Sequence, residues 1–162
     1  MSTGAMLELP AASYARSTQM LAKCCNGLSD EEWSRRPNDS ANCMQWIVGH
    51  LVWARSRAIT LLGSSWERPW LVQFARGVKP CDAAQYPAPA EMLSAWHEAG
   101  ETLAAALENV SGEKLATPVQ QPSPSFDGKV GGMVGFLAFH EAYHVGQAAY
   151  LRRWLGHDGP VG

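Results

Sequence analysis

The clearest chemistry in this chain lies in three histidines, His50, His140 and His144. His140 and His144 stand four residues apart. On a helix that spacing puts both side chains on one face, with Cβ atoms about 5–6 Å apart. Two imidazoles so placed can bind one cation from the same side. Each ring, if buried, also needs partners for both of its nitrogens, so a buried pair is hard to explain as filler.

His50 supplies a third ring from another segment, flanked on its own face by Trp46, Ile47, Trp53 and Ala54. Three inward histidines from two helices predict a three-nitrogen site for one divalent cation. Zinc commonly takes three protein ligands and leaves a fourth position open. Nickel and other imidazole-binding ions suit the same donors. The competing reading is three unrelated core histidines, each with its own hydrogen bond.

The string His140-Glu141-Ala142-Tyr143-His144 matches the zinc-protease pattern H-E-x-x-H. Its continuation argues against a protease. A metzincin needs Gly where Gln147 stands and His where Tyr150 stands. No Glu follows Glu141, and Asp158 is the only later carboxylate. Glu141 lies about 100° around the helix from His140, so it is expected to pair with an arginine or face solvent. A role behind the ligands, or as a base, stays open for it. Gln147 shares the angular position of His140. It is expected either to orient a ligand or substrate, or to be a buried amide bonded to backbone. His97, beside Trp96, is expected to face outward with Glu101 as a surface partner. His157 follows Gly156 and is expected to be solvated.

The elements that must position these groups are helices. Four segments carry a helical period. The first spans about 11–26, with Tyr14, Thr18, Leu21 and Cys25 inward and Asn26-Gly27 as its stop. The second spans about 41–62, with Asp39 or Ser40 as cap and Gly63 beyond its end. Its stripe is Cys43, Trp46, Ile47, His50, Trp53, Ala54 and Leu61. The third spans about 89–109, opened by Pro89. The fourth spans about 130–155, closed by Gly156. Its inward stripe is read as Met133, Phe136, Leu137, His140, His144, Gln147, Leu151 and Leu155. No segment reads as a strand, so an all-α four-helix bundle is expected. Residues 64–88 are too many for a tight link between antiparallel neighbours. They predict a crossover that leaves helices two and three parallel, with Trp66, Trp70 and Phe74 packing it down.

A weak internal echo suggests two halves. Leu28-Ser29-Asp30-Glu31-Glu32-Trp33 precedes the second helix, and Val110-Ser111-Gly112-Glu113-Lys114-Leu115 precedes the fourth. Ser29 and Glu32 also fit a capping box. Each motif leads, through Pro37 or Pro118, to a helix bearing inward histidines.

Bulk properties fit one domain over residues 1–162 and narrow the function. The chain is 46% hydrophobic and 17% charged, which suits a globular core. Its net charge of −2, with scattered Lys and Arg, offers no basic stripe for nucleic acid. The apolar run at 130–139 is too short for a membrane span. Residues 1–10 lack the basic start and apolar core of a signal peptide. Cys24, Cys25, Cys43 and Cys81 show no C-x-x-C spacing and are read as free thiols of a cytoplasmic protein. Cys43, about two turns from His50, is too far to complete a metal shell. Seven Trp exceed the evident needs of one small core, which raises a dimer face or a pocket mouth.

The segments Trp46-Ile47-Val48-Gly49-His50-Leu51 and His140-Glu141-Ala142-Tyr143-His144-Val145-Gly146-Gln147, with Leu151-Arg152-Arg153 and Leu155-Gly156, resemble the DinB/YfiT-like family. The turn from Leu28 to Pro37 is also similar. The resemblance spans roughly 14–156, and only the two histidine segments are specific. It implies an up-down-down-up bundle, often a homodimer, with a metal at His50, His140 and His144. It also implies kinship with bacillithiol transferases and mycothiol-dependent isomerases. The leading expectation is therefore a metal-dependent enzyme that activates a thiol or water for attack on a small electrophile. Its partners would be a small-molecule substrate and a low-molecular-weight thiol. The alternatives are a metal-dependent hydrolase of a small molecule, or a non-catalytic protein whose metal staples two helices.

Overall fold

The computed structural model describes residues 3–79 and 81–161, with side chains from residue 6 onward. Four long helices dominate: α1 (Thr3–Cys25), α3 (Met44–Leu61), α4 (Pro89–Asn109) and α6 (Val130–Trp154). Two short ones, α2 (Asp30–Ser34) and α5 (Gly112–Leu115), precede α3 and α6. No strand occurs among the described residues, only an isolated bridge between Pro118 and Lys129.

Side-chain contacts fix the directions. The Tyr14 hydroxyl donates to the Val134 carbonyl, and Arg152 donates to the Cys24 and Asn26 carbonyls, so α1 and α6 run parallel. Gln45 reaches the Pro87 carbonyl and Arg55 the Trp96 carbonyl, so α3 and α4 also run parallel. The Trp96 indole donates to the Thr18 carbonyl from the antiparallel α4. Both α1 and α3 pack against α4 and α6. The result is an up-down-down-up bundle. Two apolar clusters fill its ends, and each draws on all four long helices.

The crossover makes the parallel pair possible, as the long 64–88 connection predicts. A 3-10 turn, Pro69–Phe74, folds back onto α3 and buries Trp70, Leu71 and Phe74. Trp66 packs there half-buried. Gly49 is what lets the turn in. A Cβ at that position would stand 2.3 Å from the Phe74 ring.

The internal echo is structural. Ser29 caps α2 in a full capping box with Glu32, and Ser111 caps α5 by accepting from the Lys114 N–H. Trp33 and Leu115 bury the equivalent apolar positions. The chain is thus α1-α2-α3 followed by α4-α5-α6.

Three local expectations need correction. Helix α1 starts at Thr3, before Pro10, because Leu7 is buried in the apolar cluster with Tyr14, Leu103 and Leu107 and holds the extra turns in place. Helix α3 is capped by Cys43 without a side-chain bond, not by Asp39 or Ser40. Ser40 instead donates its N–H and hydroxyl to Asn38 Oδ1, which turns the chain earlier. On α6 the buried residues are Val130, Gly131, Val134, Leu137, Ala138, Glu141, His144, Val145, Ala148 and Leu151, so Leu137, His144 and Leu151 of the stripe read from sequence are buried as expected. The rest of that stripe lies on the shoulder, with Met133, Phe136, His140, Gln147 and Leu155 only half-buried.

Candidate metal centre

The three histidines converge. His50 comes from the middle of α3, and His140 and His144 from successive turns of α6. Their ring centroids are 5.0 Å (His50–His140), 4.9 Å (His50–His144) and 4.6 Å (His140–His144) apart. One ring nitrogen of each lies within 4.8 Å of the others. Nitrogens sharing one zinc-sized ion stand about 3–4 Å apart, given bonds of about 2.0–2.1 Å. No cysteine or carboxylate joins this cluster among the described residues.

Two of the rings are held in a fixed tautomer. His50 Nδ1 is 2.8 Å from the Phe74 carbonyl oxygen, which can only accept, so Nδ1 carries the proton. Its Nε2 lone pair then faces the cluster. The ring is also sandwiched by Trp46, with centroids 4.7 Å apart and planes 11° apart, and by Trp53, at 5.4 Å and 21°. His144 Nδ1 donates to Gln147 Oε1 at 2.8 Å, which frees its Nε2 in the same way. The packed crossover and the next helical turn are therefore what orient these nitrogens.

His140 is left unsatisfied. Its Nε2 lies 3.1 Å from His50 Nε2, and its buried Nδ1 has no partner. If Nε2 carries the proton, Nδ1 is an orphaned acceptor. If Nδ1 carries it, an orphaned donor remains and two lone pairs face each other at 3.1 Å. Buried polar groups without partners are rare and costly, and a cation among the Nε2 atoms resolves the facing lone pairs. The donor set fits a divalent ion.

The electrostatics agree. Burial pushes all three imidazoles below their ordinary value. His140 falls to about 4, through burial first, then the neighbouring histidines and the Arg76 charge. Neutral imidazole is the form that ligates a metal.

Glu141, one residue from His140, is not in the site. It points into the core, where Arg55 grips it with Nε at 2.9 Å and an Nη at 2.8 Å. Both side chains are buried. Arg55 donates further to Thr18 Oγ1 and to the Tyr14 and Trp96 carbonyls, and its guanidinium lies over the Trp96 ring. Burial raises the Glu141 pKa, and Arg55 and Ser17 oppose that by binding the charged form. Of the two placements expected, pairing with an arginine and facing solvent, the pairing is the one observed. Gln147 holds a ligand candidate, as one of its two expected roles has it.

The other candidates fall elsewhere. His97 is exposed, as expected, but makes no ion pair with Glu101 among the described residues. His157 is not simply solvated, because its Nε2 meets Glu32 Oε1 at 2.8 Å. The Ser29 N–H first, and that contact second, lower the Glu32 carboxyl to about 2. All four cysteines are free, and burial lifts Cys24 to about 11 and Cys25 further. Sequence reasoning missed Arg55, whose place amid the apolar residues of α3 was the available signal. It also missed the Phe74 carbonyl, for which no side-chain pattern exists.

Two of the hollows among the described residues bear on the surroundings of Arg55 and the histidines. A cavity of about 560 Å³ opens between α1 and α4, lined by Tyr14, Arg55, Leu103 and Leu107, and does not reach the histidines. A groove of about 580 Å³ beside α6 touches the cluster's surroundings through Gln147 and Tyr143.

Residues 13–148 match the DinB superfamily, and the chain belongs to it. The fold is similar to the crystal structure of a conserved protein from Enterococcus faecalis, with a TM-score of 0.69 and 15% identity. That match covers 91% of this chain and 95% of the other. No functionally curated protein matches the sequence. No helix among the described residues is long and apolar enough to cross a membrane.

Proposed function

We propose that this protein is a metal-dependent enzyme in which His50, His140 and His144 hold one divalent cation, zinc or nickel by donor type. The observation that carries the proposal is the set of converging imidazole nitrogens, two fixed by Nδ1 bonds, with no fourth protein ligand in the cluster among the described residues. A cation held by three neutral ligands keeps an open position, where it lowers the pKa of a thiol or water. The chain's own part is orientation: Phe74 and Gln147 set the tautomers, and Trp46 and Trp53 clamp the ring and exclude water from one side.

The nucleophile proposed is a low-molecular-weight thiol, which attacks a small electrophilic substrate. The test is turnover of an aryl halide or an activated alkene with several thiols, comparing metal-loaded wild type with His50→Ala. A rate that depends on thiol, metal and His50 together is expected. Equal rates for both proteins sink the reading. Ester or amide cleavage without added thiol would identify water as the nucleophile instead.

The family resemblance extends the proposal to a homodimer. Phe139, Tyr143 and Tyr150 leave a row of exposed aromatic surface on α6. The tryptophans themselves lie mostly in the core or around His50, with Trp154 the exposed one. Sedimentation at micromolar concentration checks this, and a monomer throughout the range rules it out.

A further inference from the structure

The hollow between α1 and α4 stands apart from the histidine site. It holds about 560 Å³, and no histidine lines it. Small-molecule sites commonly hold about 300–1,000 Å³, with mostly apolar walls and a few polar groups. Its floor is Leu7, Tyr14, Leu103 and Leu107, all buried. Its walls are short: Ala11 and Ala15 on α1, Gly100 and Ala104 on α4. Small residues on both facing helices are what leave the gap open.

The two ends of the hollow differ in charge. Arg55 and Thr18 close the inner end, beside Gly100. A Cβ at Gly100 would stand 2.7 Å from an Arg55 Nη, so the guanidinium packs directly against that glycine. Its charge is cancelled by Glu141. The Thr18 hydroxyl accepts from Arg55 and donates to the Tyr14 carbonyl. The inner end therefore carries no net charge to attract an anion. At the outer end stand Glu8 and Glu108, brought together because α1 and α4 run antiparallel. Both are exposed, and neither makes an ion pair among the described residues. Helix α4 stops one residue later, at Asn109, with no basic residue in its last turn. Its terminal carbonyls add to the negative charge there. From Gly100 to Glu108 the hollow follows α4 for about 12 Å, at about 1.5 Å per residue.

We infer that this hollow binds a slim apolar molecule with one positively charged end, its tail toward Arg55 and Thr18 and its head between Glu8 and Glu108. The apolar floor gains from covering by the tail, and the two carboxylates gain a counter-charge that the chain does not supply. An anionic amphiphile meets the same carboxylates as a repulsion, and a neutral one gains the apolar contacts alone. The inference is independent of the metal-site reading.

The test is calorimetric titration at low ionic strength with decyltrimethylammonium, 1-decanol and decanoate, each below the concentration at which it forms micelles. Wild type is compared with Glu8→Gln/Glu108→Gln and with Ala15→Leu/Ala104→Leu. All four positions are exposed, and both new residues are good helix formers, so the fold is kept. Decyltrimethylammonium is expected to bind wild type about tenfold or more tighter than decanoate. The Gln pair should weaken the cation by about three- to tenfold and leave decanol unchanged. The Leu pair should weaken every probe that binds by about tenfold, because its side chains occupy the gap. Equal affinity of wild type for the cation and the carboxylate overturns the inference. So does cation binding that either pair of substitutions leaves unaltered, since the probe would then sit elsewhere. Absence of cation binding to wild type overturns it too. If sedimentation then shows that the Leu pair dissociates a dimer, the occupant is a second copy of this chain.

Discussion

Two polar clusters join α3 to α6 within about one and a half helical turns of each other, and they are built in opposite ways. Around Arg55 and Glu141 every donor direction that can be followed ends on an acceptor: a carboxylate, a hydroxyl or a backbone carbonyl. Around His50, His140 and His144 the nitrogens face one another and one is left without a partner. A closed network of buried charge holds two helices in register. An open one reserves a place for something the chain does not supply. The difference teaches that Glu141, despite its place in an H-E-x-x-H string, is part of the frame that ties α3 to α6.

The sharpest way to break the comparison is at the closed cluster. Arg55→Leu leaves a buried, uncompensated carboxylate, which typically costs about 3–5 kcal/mol. The melting temperature should fall by about 6–20 °C. The double variant Arg55→Leu/Glu141→Leu should recover much of that loss, because apolar replacement removes both charges. A single variant as stable as wild type in thermal and urea unfolding would mean the pair does not hold the helices.

The open cluster should respond in the other direction. His140→Ala is expected to reduce zinc affinity by about 100-fold or more, since it removes one of only three ligands. It should leave the melting temperature of the metal-free protein nearly unchanged or slightly raised. Calorimetric titration and metal-free melting curves report the two effects separately. A large loss of metal-free stability would place His140 with the frame.

Gln147→Leu tests the tie between ligand and support. Removing the acceptor of the His144 Nδ1 proton should weaken metal binding by about 10- to 100-fold, with the fold intact. Unchanged affinity would reduce Gln147 to a groove residue. Gly49→Ala probes the crossover, because its new methyl must push the Phe74 ring aside. A stability loss of about 1–3 kcal/mol is expected. Weaker metal binding should accompany it as the His50 bond to Phe74 loosens.

A last effect is with pH. The folded-state pKa of His140 is about 4, below the ordinary 6.5. Between those values the unfolded chain binds a proton that the folded chain does not. Stability of the metal-free protein is therefore full above about 6.5 and falls as the pH drops toward about 4. His50 and His144 shift in the same direction. Urea midpoints measured across this window should show the decline, and His140→Gln should flatten it. A midpoint independent of pH would show that these rings are not held neutral by burial.

Most of the helical frame was legible in the residues. The Pro89–Asn109 helix was bounded by its opening proline and its apolar period. The long 64–88 connection, with Trp66, Trp70 and Phe74 in it, announced a crossover. The Ser29/Glu32 box marked α2. The start of α1 was not legible, because a proline breaks a helix in isolation and only the burial of Leu7 keeps one running past it.

What the sequence by itself determined was the donor set. Two histidines four apart and a third on another helix can meet in a bundle whose helices run antiparallel there, and nothing among the described residues supplies a fourth ligand beside them. Which face of α6 lies innermost was left to the tertiary structure. Periodicity allowed either the His140 face or the Glu141 face to be buried, since both are rich in apolar side chains. Arg55 decided it, because a carboxylate can enter the core only opposite a matching buried charge, and that partner lies 86 positions away in the chain. The tautomers were decided in the same way, by a backbone carbonyl at Phe74 that becomes an acceptor for His50 only once the crossover has packed against Gly49.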